Sequence, residues 1–135
     1  MKYMLIMNTP RDGYTQYMNW PAKILEANVA FMQVFSKKLK DAGELAGAAG
    51  LASPDHARLV RSGPGGKPIT DGVFPEAKEF LAGYWIVDVK SPERALEIAA
   101  EASTAPGVAI KGADGRMIEH LWIEVREIVG GHQDI

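Results

Sequence analysis

The stretch Leu81-Ala82-Gly83-Tyr84-Trp85-Ile86-Val87-Asp88-Val89-Lys90-Ser91-Pro92-Glu93 decides the fold class, because its hydrophobic period changes within a few residues. As far as Val89 the chain alternates. Trp85, Val87 and Val89 share one face, and Tyr84, Ile86 and Asp88 share the other, which is the two-residue period of a strand. Ser91 then supplies an N-cap, Pro92 suits the first turn, and Glu93 sits near the positive end of a helix. Ala95, Leu96, Ile98, Ala99 and Ala102 follow, and Pro106-Gly107 marks the end of that helix.

The same reading extends outward in both directions. Residues 3–7 form a continuous apolar run, suited to a strand covered on both faces, and Pro10, Asp12 and Gly13 end it. From Pro21 to about Ala42, Leu25, Met32, Phe35 and Leu39 recur at helical intervals, with Gly43 as the C-terminal stop. Residues 44–51 are small enough for a strand that another backbone approaches closely. Residues 57–61 and 67–70 flank Ser62-Gly63-Pro64-Gly65-Gly66, the pattern of an inserted hairpin. The last strand is expected over residues 117–126, with Leu121, Ile123 and Val125 on one face and Ile118, His120, Trp122, Glu124 and Arg126 on the other.

The resulting order, β-α-β-hairpin-β-α-β, predicts an α+β domain of the ferredoxin-like, split βαβ kind, with an antiparallel sheet and both helices on one face. The opposite face would then expose Tyr84, Ile86, Ile118 and Trp122. A second copy packed across a twofold axis is the simplest cover, which predicts a homodimer through the sheet face, of dimeric α/β-barrel type.

Bulk properties narrow the function classes. The 135 residues suit a single domain, expected over residues 1–128 with a C-terminal tail at 129–135. The formal charge of -2 provides no basic footprint for direct nucleic-acid binding. The absence of cysteine excludes thiolate nucleophiles and cysteine-ligated metals, permits a reducing compartment and leads to the expectation of a cytoplasmic protein. The apolar start, Met1-Lys2-Tyr3-Met4-Leu5-Ile6-Met7, has no small-residue cleavage site after it and reads as a strand, not a leader. No window reaches the roughly 18 apolar residues of a membrane span.

Thr70-Asp71-Gly72-Val73-Phe74-Pro75-Glu76-Ala77-Lys78-Glu79, followed by Leu81-Ala82-Gly83-Tyr84-Trp85, resembles the YCII-related family in its DGPF branch, with Val73 where that branch has proline. The start at Met1-Lys2-Tyr3, the Ala42-Gly43-Glu44-Leu45 segment and the closing Ile123-Glu124-Val125-Arg126 extend the likeness. The resemblance implies a ferredoxin-like domain that dimerises through its sheets. It also implies kinship with small-molecule enzymes that use a histidine near the first helix and an aspartate, and with domains associated with sigma-factor-type regulators. No histidine lies between Met1 and Asp55, so that dyad is not carried onto this chain.

The candidate chemistry is therefore acid–base. Asp71, held by an Asp-Gly turn, could act as a base, although its carboxylate would also serve the turn itself. Glu76 and Glu79, three residues apart, could share a face or simply be solvated. His120, placed with Tyr84 and Trp122, could form an aromatic-walled pocket with one titratable group, or a satisfied interface histidine. The expected catalytic residues are His120 and Asp71, and the expected pocket residues are Tyr84, Trp122 and Glu76. His56 and His132 lie in turn-rich segments, the histidines show no metal-ligand spacing, and Gly63-Pro64-Gly65-Gly66-Lys67 lacks the full phosphate-loop pattern. No metal and no cofactor is expected. The two functional expectations are a lyase- or isomerase-type enzyme acting on a small molecule, and a non-catalytic dimeric ligand-binding or regulatory domain.

Overall fold

The computed structural model describes residues 1–72 and 77–130. The chain opens with β1 (Lys2–Thr9), α1 (Gly13–Met18), α2 (Ala22–Asp41) and β2 (Leu45–Gly50), followed by the hairpin β3 (Leu59–Ser62) and β4 (Pro68–Asp71). It continues through β5 (Phe80–Asp88), α3 (Pro92–Ala102), β6 (Ile110–Lys111), β7 (Met117–Ile118) and β8 (Ile123–Glu127). The main sheet has the order β2-β5-β1-β8, and every pairing in it is antiparallel. This mixed α+β arrangement, with its sheet and three helices, is compatible with a ferredoxin-like fold.

The strand alternation read from the sequence determines where the core lies. Tyr3 pairs with Val87 and Leu5 with Trp85, so these four side chains share one face. Against that face α2 contributes Phe35 and Leu39, and α3 contributes Ala95, Ile98, Ala99 and Ala102. Trp85 meets the Phe35 ring edge-on, at 5.6 Å and 82°, an arrangement that aromatic quadrupoles favour. The other face carries Met4 and Ile6 from β1 opposite Ile86 and Tyr84 from β5, all half-buried. The expectation that β1 is covered on both faces therefore holds for one face within the single chain.

α3 begins as its sequence predicts. The Ser91 hydroxyl accepts from the Arg94 N–H at 3.2 Å, satisfying one of the unpaired donors of the first turn. Arg94 in turn grips Glu44, just ahead of the edge strand β2, through two bonds of 2.8 Å. These bonds hold the Glu44 carboxyl below its usual range, with burial acting in the opposite sense. A lowered folded-state pKa means that the stabilisation is present above the unfolded glutamate pKa of about 4.3. It is lost as pH falls through the lower folded-state value. Glu44→Gln is expected to cost about 1 kcal/mol at neutral pH, the pair being partly exposed. Urea denaturation should show that cost shrinking below about pH 4.

Two parts differ from the sequence expectation. The helix α1 was not anticipated, because its six residues, Gly13–Met18, carry neither an apolar stripe nor a side-chain cap. It is held instead by Gln16, whose carboxamide donates to the Lys111 carbonyl at 3.0 Å and accepts from the Lys111 N–H at 2.8 Å. A side chain thus imitates a strand partner for β6.

The continuous strand expected over residues 117–126 is corrected to two pieces. β7 leaves the main sheet to pair with β6 across a turn in which Gly115 has φ +82°, and β8 resumes beside β1. Residues 119–122 between them are not strand, so the two-residue alternation that grouped His120 with Trp122 does not hold there.

Candidate functional site

The main cavity, of about 710 Å³, lies at the end of the sheet where β1 and β2 finish and β5 and β8 begin. Met7, Leu81 and Ile123 contribute from the sheet, while Tyr17 and Trp20 contribute from α1 and the turn after it. The aromatic pair meets edge-on at 5.0 Å. Trp20 in turn lies over Gly107, where an added Cβ would come within 2.6 Å of the indole, so glycine permits this close packing.

Asn28 is the buried polar side chain of this wall, 7 % exposed within α2. Its amide donates to the Pro106 carbonyl at 2.9 Å, and its carbonyl oxygen accepts from the Tyr17 hydroxyl at 3.3 Å. The carboxamide is therefore satisfied and ties α2 to the chain beyond α3, with Tyr17 fixed between them. Burial raises the Tyr17 phenol above its ordinary pKa, and the neighbouring Tyr14 adds to the shift. Tyr17 is thus a neutral hydroxyl at physiological pH.

His120 lines the same cavity at its exposed rim. Its Nδ1 lies 3.1 Å from the Ser103 carbonyl oxygen, just past the end of α3. A carbonyl can only accept, so this bond places a proton on Nδ1 and leaves Nε2 with a free lone pair in the neutral ring. The arrangement fixes both the tautomer and the orientation of a potential base.

The residues singled out from the sequence are only partly brought together. His120 and Tyr84 both line the cavity. Trp122 is outside its lining and 92 % exposed. Asp71 is also outside the lining, at the exposed end of the hairpin, where its carboxylate accepts from the adjacent Gly72 N–H at 2.8 Å. Glu76, together with Val73, Phe74 and Pro75 of the signature and His132 of the tail, lies outside the described residues. Tyr17, Trp20, Asn28 and Ser103 were not proposed as site residues, and the one local signal was the clustering of aromatic residues between Tyr14 and Trp20. Among the described residues no group of three or more histidine, aspartate or glutamate side chains is placed to hold a metal ion. Among them too, no helix is long and apolar enough to cross a membrane.

Comparison with known proteins supplies the family. Residues 1–111 match the YCII-related domain, and the chain belongs to that family. It is also similar to an uncharacterised protein of Rhizobium meliloti, at 30% identity over 86 residues, covering 64% of this chain and 69% of that relative. The family match ends ahead of His120. The rim histidine therefore stands on this chain's own geometry, whereas Tyr17, Trp20, Asn28 and Ser103 fall inside the matched region.

Proposed function

We propose that this YCII-related protein, of the DGPF branch, is an acid–base enzyme of lyase or isomerase type acting on a small organic molecule, with His120 as the base. One observation carries the reading: the His120 ring is held through Nδ1 by a backbone carbonyl at the rim of a largely apolar cavity, leaving Nε2 to accept a proton. Proton transfer alone suffices for such reactions, and the Tyr17 hydroxyl oxygen, its proton donated to Asn28, can accept from a substrate hydroxyl within the same lining. The test is exchange of deuterium from heavy water into cyclic hydroxylated carbonyl compounds. Wild-type protein should catalyse the exchange, and His120→Ala should lose it. Equal exchange by both proteins would remove His120 from the mechanism.

A second reading rests on a different surface. Met4, Ile6, Tyr84 and Ile86 form an apolar strip on the sheet face away from the helices, and the single chain leaves it half-buried. We propose that a second copy covers this strip, giving a homodimer that could serve equally as a non-catalytic ligand-binding or regulatory domain. Ile86→Glu would make each copy bury an unpaired carboxylate, at about 3 kcal/mol or more. With two such carboxylates per dimer, sedimentation equilibrium should then show the dimer dissociation constant raised by about four orders of magnitude. An unchanged constant would place the interface elsewhere.

A further inference from the structure

The electrostatic character of the cavity is more selective than its shape. Among the described residues no lysine or arginine lines it, and its one formally charged side chain is Glu119, exposed at the rim. The polar side chains deeper in the lining include the Tyr17 hydroxyl and the Asn28 carboxamide, bonded to each other and to Pro106, and at the rim His120 has Nδ1 on the Ser103 carbonyl with Nε2 as its other ring nitrogen. A carboxylate or phosphate entering this space would shed water and meet no cation, with Glu119 repelling it at the mouth. An ammonium group would also shed water, and the carboxylate it could pair with lies at the solvent edge. A neutral hydroxyl meets a matched partner, because it can donate to Nε2 while its ring packs against Tyr17 and Trp20.

We propose that the cavity selects an uncharged, hydroxyl-bearing aromatic or similarly flat cyclic compound and rejects anionic and cationic analogues of the same shape. This specifies the substrate class of the proposed site and rests on the cavity being a ligand site. The volume of about 710 Å³ admits a bicyclic molecule, within the usual range of about 300–1,000 Å³ for small-molecule pockets.

The probes are naphthol, naphthoate and naphthylmethylammonium, substituted at the same ring position and titrated at neutral pH into the full chain. Heteronuclear NMR would follow the Trp20 indole N–H and the Gly107 amide, which lie against one another on the cavity wall. Naphthol is expected to shift both signals, with a dissociation constant about tenfold or more below those of the two ions. Equal or tighter binding of either ion would overturn the proposed class while leaving the cavity as a ligand site. Failure of all three to move the Trp20 and Gly107 signals would overturn both the class and the ligand-site reading. Binding does not require turnover, so a negative result in the deuterium-exchange test leaves this measurement meaningful.

Discussion

Trp85→Ala is expected to lower folding stability by about 3–5 kcal/mol, whereas Trp122→Ala should change monomer stability by no more than about 0.5 kcal/mol. The two indoles differ in environment: Trp85 is 5 % exposed and Trp122 92 % exposed. Trp85 packs edge-on against Phe35 of α2 and lies in the cluster containing Leu5 and Val87, both fully buried. Alanine would leave a void beneath α2, and because Trp85 also touches the main cavity, that void would open toward it instead of collapsing. A domain of this size commonly has about 5–15 kcal/mol of total stability, so the variant would be marginal. Urea denaturation followed by far-UV circular dichroism measures both variants. A loss under about 1.5 kcal/mol for Trp85→Ala would mean that the core is not centred where the sheet meets α2 and α3.

The same two residues show what the sequence could and could not reveal. Trp85 sits in an alternating run whose period continues without interruption, so its burial was readable from local pattern. Trp122 also obeys an alternation on paper, but the pattern could not show that residues 119–122 interrupt it between β7, paired with β6, and β8 in the main sheet. That choice depends on the turn at Gly115 and on the hold of Gln16 on Lys111, a contact across 95 residues of chain. The cavity was obscure for a related reason. Its aromatic wall rides on α1, a helix stabilised by tertiary contact more than by its own composition. Asn28 looked like an ordinary polar position on a helix until the Pro106 carbonyl and the Tyr17 hydroxyl were found on either side of it. Helices α2 and α3, the hairpin and the central strands were legible because each carries its own periodicity and punctuation.

For a substrate whose deuterium exchange or turnover is detected, His120→Ala is expected to lower kcat by about 10² to 10⁴, the usual contribution of a positioned general base. KM should rise by about tenfold or less, because alanine removes the Nε2 acceptor of the substrate hydroxyl while the packing contacts of Tyr17, Trp20 and the sheet end remain. His120→Gln separates proton transfer from hydrogen bonding. Its carboxamide could still accept from a substrate hydroxyl, so binding should approach wild type, but it cannot carry a proton away, so turnover should remain as low as in the alanine variant. Fold disruption would not mimic this pattern: His120 is exposed, and among the described residues its side-chain hydrogen bond is to the Ser103 carbonyl, so circular dichroism and thermal midpoint should be nearly unchanged. If glutamine restored turnover along with binding, His120 would be a positioning residue and the proton would have to leave by another route. The neutral Tyr17 hydroxyl, raised above its ordinary pKa by burial, is poorly suited to take it, so that outcome would remove His120 as the base and leave it the role of binding and orienting the substrate.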